Sequence, residues 1–149
     1  TIVEEALMGH DAVAFVGAIG QPDAHAGEVP AAFVELVKGA SVSTDELMAF
    51  CAAHIHEKAA IPKHIEILPE LPQTAVGKVF KPDLRRRAIS RVYDASLAEA
   101  GLAARVVAVK EDKKRGLVAQ LERTGPVEDA DVEKLMAEFA GPWEWAAQA

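Results

Sequence analysis

The residue best suited to chemistry in this chain is a lysine. Lys78 follows Gly77 in the stretch PQTAVGKVFKPDLRR, Pro72 to Arg86. Small residues precede it, and Pro82 marks the first turn of a helix behind it, where a missing N–H costs nothing. A glycine allows close backbone approach, and an ammonium brings three donors and a mobile point charge. That combination suits a phosphate or carboxylate whose charge shifts during a reaction. The alternative is a surface lysine in a Thr-Ala-Val-Gly linker. The stretch has no Asn-Gly or Asp-Gly pair, so it reads as a loop and not as a tight hairpin.

Other residues with chemical potential point to structure. In HIHEKAA, His54 and His56 are two positions apart and face different ways on a helix. The His-Glu-x-x-His spacing of a zinc site fails because Ala60 stands where the second ligand belongs, so no metal site is expected. GAIG, Gly17 to Gly20, has neither the third glycine of a dinucleotide fingerprint nor a helix behind it. It reads as a strand end and turn, and a KH-type nucleic-acid loop would have to join two helices. The single cysteine, Cys51, shares an apolar helix face with Leu47 and Ile55 and reads as a buried inert thiol. Arg85, Arg86, Arg87 and Arg91 form either a solvated helix face or a contact for an anionic ligand or a partner domain.

The elements that must position Lys78 follow from composition and pattern. The chain has 149 residues, 50% hydrophobic and 26% charged, which suits one globular domain, or one domain with an extension. A net charge of −7 argues against nucleic acid as the main partner. Its apolar runs fall far short of the roughly 18 residues of a membrane span. One cysteine forms no internal disulfide, and a cytoplasmic setting is the default. There is no initiator Met, and Val3 and Leu7 already stand at helical spacing, so the chain reads as a piece of a longer one.

Residues 1–10 predict a helix with Thr1 as cap, 12–19 a buried strand, 20–30 a loop and 31–37 a second strand. Ser43 and Glu46 predict a capping box ahead of a helix with Leu47, Phe50, Cys51 and Ile55 on one face. Residues 64–68 alternate like a strand, and the helix after Pro82 carries Leu84, Ala88, Ile89 and Val92. After Tyr93 the pattern predicts a weakly helical stretch, a hairpin over 105–110 and 117–122, and a helix over 128–140. Fraying is expected past Gly141-Pro142, with Trp143 and Trp145 either docked or marking a contact. The fold class is therefore α+β, a small sheet flanked by helices, with an additional β-β-α extension at the C-terminus.

The segment LPELPQTAVGKVFKPDLRR resembles the closing motif of the adenylate-forming superfamily, which includes acyl-CoA synthetases, luciferases of the firefly type and peptide-synthetase adenylation domains. Leu71, Pro72, Thr74, Gly77 and Lys78 match it. So do Pro22-Asp23, Gly27-Glu28 and Phe33-Val34 in EEALMGHDAVAFVGAIGQPDAHAGEVPAAFVEL, and the later Ile61-Pro62. Ala59-Ala60 stand where the family often has Tyr-Lys, so a contact made by that pair does not carry over.

The resemblance implies that residues 1–92 are the C-terminal lid of such an enzyme, most like an acyl-CoA or fatty-acid–CoA ligase, with residues 93–149 as an extension. It implies a large N-terminal adenylation domain elsewhere in the chain, holding most of the contacts to ATP and Mg. The implied reaction joins a carboxylic acid to coenzyme A through an acyl-adenylate, and the lid alone is expected to be inactive. Lys78 would be the catalytic residue, with Gly77 and Thr74 in the loop that faces the adenylate. Gly27 and Glu28 would lie in a loop on the coenzyme A side. A lid that serves a carrier-protein-loading enzyme, or a stand-alone binding module, are the other readings.

Overall fold

In the computed structural model, which describes residues 1–147, the order is α1 (Ile2–Met8), β1 (Val13–Asp23), β2 (Gly27–Leu36), α2 (Thr44–His54), β3 (His64–Ile67), α3 (Lys81–Glu99), β4 (Ala104–Asp112), β5 (Gly116–Arg123), α4 (Asp129–Met136) and β6 (Trp143–Trp145). Two small sheets flanked by helices make the expected α+β architecture, with strand orders β1-β2-β3 and β4-β5-β6. The chain divides into two compact units. One holds Thr1–Gly20 and Val29–Arg85, and the other holds Gln21–Glu28 and the chain from Arg86 onward.

In the first unit, Thr1 caps α1 by accepting the Glu4 N–H at 3.1 Å. Ser43 does the same for α2, taking the Glu46 N–H at 3.1 Å. Only that half of the predicted capping box is recorded, because the exposed Glu46 carboxylate instead lies 3.5 Å from His10 Nε2. The central strand β2 is buried at every position from Ala31 to Val34, as a strand covered on both faces should be. β3 runs parallel to it, from Ala31↔His64 to Val34↔Ile67, with α2 in the crossover that a parallel pair requires. Val3, Leu7, Val16, Val34, Leu47, Cys51 and Ile65 close the core between these elements.

The loop predicted over 20–30 is much shorter. β1 continues through Pro22 to Asp23, and only Ala24, His25 and Ala26 separate it from β2. β1 is an edge strand, where a proline removes no necessary ladder bond. The turn forms because Asp23 Oδ2 accepts the His25 and Ala26 N–H groups at 3.1 and 2.8 Å, and Gly27 takes φ +81°. The same device closes β4 onto β5: Asp112 Oδ1 accepts from Lys114 and Arg115 at 2.8 and 3.0 Å, and Gly116 takes φ +79°.

The second unit corrects two further expectations. α3 is one helix from Lys81 to Glu99, with no change after Tyr93. Tyr93 and Leu97 are buried and continue the apolar stripe, while Ala95 and Ala98 beside them favour helix. The fraying expected past Gly141-Pro142 is absent over Trp143–Trp145, where the two tryptophans take the docked alternative and pair in parallel with β5 from Ala119↔Trp143 to Leu121↔Trp145. For residues 148 and 149 that expectation lies outside the described residues. Gln120 and Arg115 reach the Glu144 carboxylate at 2.9 and 3.0 Å, and the Arg123 guanidinium sits 4.2 Å from the centre of the Trp145 ring. Tyr93, Leu97, Leu121, Val132 and Met136 form the core of this unit.

The two halves of the chain share one order. α1-β1-β2-α2-β3 and α3-β4-β5-α4-β6 are each a helix, a hairpin, a crossover helix and a third strand parallel to the second.

Candidate functional site

Lys78 closes a tight turn. The Thr74 N–H donates to the Lys78 carbonyl at 2.7 Å, and the Gly77 N–H donates to the Thr74 carbonyl at 3.0 Å. The Thr74 hydroxyl accepts the Lys78 N–H at 3.2 Å. Ala75, Val76 and Gly77 thus make a three-residue hairpin connection, where the sequence predicts a loop. The missing Asn-Gly pair belongs to two-residue turns, whereas this longer connection asks for one glycine at positive φ. Gly77 supplies it at φ +82°. Below the turn Gln73 and Val79 pair as an antiparallel bridge, and the Phe80 N–H donates to the Pro72 carbonyl at 2.7 Å.

The turn is presented outward. Lys78 and Gly77 are exposed, and Val76 is 80% exposed at the tip. Among the described residues the Lys78 ammonium makes no recorded hydrogen bond or ion pair. Thr74 is half-buried, and its oxygen is committed to the turn.

The base of the hairpin is held by residues that the sequence did not single out for this task. Gly17 is buried inside β1, not at a strand end as predicted. A methyl group there would come within 2.5 Å of Leu84 Cδ1 and 2.9 Å of Val79 Cγ1. The glycine therefore lets the strand pass directly beneath the hairpin's second arm and the first turn of α3. One residue further, the Ala18 N–H donates to Glu4 Oε2 at 3.0 Å, and Lys81 Nζ pairs with the same oxygen at 3.0 Å. Partial burial pushes the Glu4 carboxyl up, but the Ala18 N–H and then Lys81 outweigh it and hold it below the ordinary glutamate value. No motif marks Glu4 and Lys81 as partners, since 77 positions separate them (81 − 4).

The remaining candidates are placed elsewhere. Gly27 and Glu28 sit at the β1–β2 turn, within the other compact unit from Lys78. His54 is exposed, bonds through Nδ1 to the Phe50 carbonyl at 2.8 Å and stacks on the Phe50 ring. Cys51 is fully buried, and burial pushes its thiol up. Two of the arginines serve the fold: Arg86 Nε donates to the Val109 carbonyl at 3.2 Å, and Arg91 bonds the Gln21 side chain. Among the described residues no helix is long and apolar enough to cross a membrane.

The family model of the AMP-binding enzyme C-terminal domain matches residues 2–78, so the match ends on Lys78 itself. The chain belongs to this family. Among its relatives, the marinolic acid–CoA ligase of Pseudoalteromonas sp. (strain SANK 73390) is 47% identical over 90 residues, covering 60% of this chain and 14% of the relative. The long-chain-fatty-acid–CoA ligase of Bacillus subtilis (strain 168) is 46% identical over 85 residues, covering 57% and 14%. A solved acyl-CoA synthetase of Brucella canis superposes with a TM-score of 0.51 at 34% identity, over 56% of this chain and 16% of that one. The chain thus spans about a seventh of the length of the curated relatives it matches. In this AMP-binding C-terminal domain the matched stretch contains α1 through β3 and the Lys78 hairpin, and the β4-β5-α4-β6 extension lies beyond it.

Proposed function

We propose that this domain is the lid of an ATP-dependent, AMP-forming acid–CoA ligase, and that Lys78 is its catalytic residue. The observation that carries the reading is the hairpin itself. It ends the family-matched stretch and projects an exposed ammonium from a base fixed by hydrogen bonds. Such a group has little to do within its own domain and is shaped to enter another.

In this reading the N-terminal adenylation domain, in the same enzyme, holds the carboxylic acid, most of the ATP and its Mg. The acid's carboxylate attacks the α-phosphorus, pyrophosphate departs, and negative charge builds on the oxygens around the phosphorus. Lys78 bridges the carboxylate and the α-phosphate, orients them and offsets that charge; it forms no bond of its own. Gly77 and Thr74 keep the turn narrow enough to pass close to the nucleotide. The lid then turns as a rigid body. In this second pose the Gly27-Glu28 turn lines the path of coenzyme A, whose thiol takes the acyl group and releases AMP. The setting is cytoplasmic, where both ATP and coenzyme A are available. The relatives' names, all acid–CoA ligases among those above, favour coenzyme A over a carrier protein as acceptor.

The test is Lys78→Ala in the complete enzyme, with the half-reactions measured separately. Adenylate formation should fall by about 10²–10³, the cost of removing one preorganised donor to developing charge. Transfer from supplied acyl-adenylate to coenzyme A should stay near the wild-type rate. Equal loss in both steps, or in neither, would remove Lys78 from this role.

A further inference from the structure

We infer that Glu4 is a positioning residue for Lys78, acting through Lys81. The inference rests on the reading of Lys78 above and extends it to the residues that aim the hairpin. Three contacts converge on the arm that leads out of the turn. Val79 lies over Gly17, where even a methyl group would collide with it. Phe80 is tied back to Pro72 through its N–H. Lys81, three residues beyond Lys78, meets the Glu4 carboxylate, and that same carboxylate oxygen takes the N–H of Ala18, the strand residue next to Gly17.

Glu4 therefore joins three elements at one oxygen: its own helix α1, the edge strand β1 and the first residue of α3. Its side chain is 22% exposed and that of Lys81 33%, so water screens the pair only in part. A helix start is a natural pivot. If the first turn of α3 shifts, the short arm Val79-Phe80 carries the shift to the Lys78 backbone, and a long flexible lysine side chain amplifies it. A charge that stabilises a transition state acts only when held near its place, and small displacements are costly. Glu4 touches no reacting group; it holds the frame from which Lys78 reaches.

The first variant is Glu4→Gln, which keeps an oxygen for the Ala18 N–H and removes the carboxylate's ion pairs with Lys81 and, through Oε1, with the Thr1 amino group; Lys81→Met, below, removes the Lys81 pair alone and is the decisive one. Two readouts are needed. In this chain, hydrogen exchange at the Thr74 and Phe80 amides, which close the hairpin, should quicken roughly threefold to tenfold, the scale of one partly screened ion pair. Amides of β2 and β3 serve as the internal reference. In the complete enzyme, adenylate formation should fall by a similar, roughly threefold to tenfold factor, and Glu4→Gln should add nothing in a Lys78→Ala background. Lys81→Met should reproduce both effects. Unchanged exchange at the hairpin, or a loss that adds to that of Lys78→Ala, would overturn the positioning role. If Lys78→Ala alone leaves adenylate formation intact, the reading of Lys78 fails, and the exchange result still decides whether Glu4 holds the hairpin.

Discussion

At the scale of single residues, two glycines support the Lys78 hairpin for opposite reasons. Gly77 needs its backbone freedom: it lies at φ +82° with open space where a side chain would go. Gly17 needs its missing side chain, because Leu84 and Val79 occupy the place of a Cβ. Gly77→Ala should therefore strain the turn without a clash, at about 1–2 kcal/mol for an L-residue in the left-handed region. We expect faster exchange at the Thr74 and Lys78 amides and a lower urea midpoint. Lys78→Ala should leave that midpoint close to wild type, since an exposed side chain holds no core together. A Gly77→Ala midpoint equal to that of Lys78→Ala would show that the turn relaxes cheaply. The sequence made Gly77 and Lys78 legible because both types lie side by side in a recognisable motif. It left the roles of Glu4 and Gly17 at the hairpin unread, because their partners are distant in sequence and become neighbours only when β1, α1 and α3 meet.

Among the elements, β6 is the one whose docking is most open to direct measurement. The chain has two tryptophans, Trp143 and Trp145, and both lie on this strand. Between them Glu144 is held below the ordinary glutamate value by Gln120 and then by Arg115. Asp112 is held low as well, by the Lys114 and Arg115 N–H groups and the Arg115 side chain. A carboxyl whose value is lowered in the folded state stabilises the fold at pH above its ordinary value, and that contribution is lost as pH falls through the lowered one. Tryptophan emission should accordingly shift to the red as pH drops below about 4, the ordinary carboxylate range, before the whole chain unfolds. Glu144→Gln should flatten that transition. Emission that follows far-ultraviolet circular dichroism at every pH would show that β6 does not loosen on its own.

For the whole molecule, the shared order α-β-β-α-β in the two halves sets what each can do. Both halves have the hairpin, the crossover helix and the parallel third strand, and both close their hairpins with an Asp and a positive-φ glycine, Asp23 with Gly27 and Asp112 with Gly116. In the first half a Gly-Lys hairpin follows the third strand. The chain of 149 residues should fold, since each half has a buried apolar core, yet release no pyrophosphate from ATP in response to added acids. Pyrophosphate release and adenylate formation, measured with the chain alone and then with a separately expressed adenylation domain added, check this. Robust turnover by the chain alone would end the lid reading.

What the sequence determined by itself was local or carried in a contiguous motif. The helix caps at Thr1 and Ser43, the strand over 31–37, the hairpin around EDKKRG and the Gly77-Lys78 pair all express chemistry within a few residues of one another. What only the tertiary structure decided depends on who the neighbours are. Pro22 stays in a strand because β1 lies at a sheet edge, and Trp143–Trp145 form a strand because β5 offers a free edge with Arg115, Gln120 and Arg123 around it. Residues 81–99 stay one helix because Tyr93 and Leu97 find a core to bury in. The turn at Lys78 is tight because Thr74 and Phe80 find their carbonyls across it. Propensity and pattern act along the chain, whereas burial, edge position and charge pairing act through space, and it was the second set that aimed the lysine.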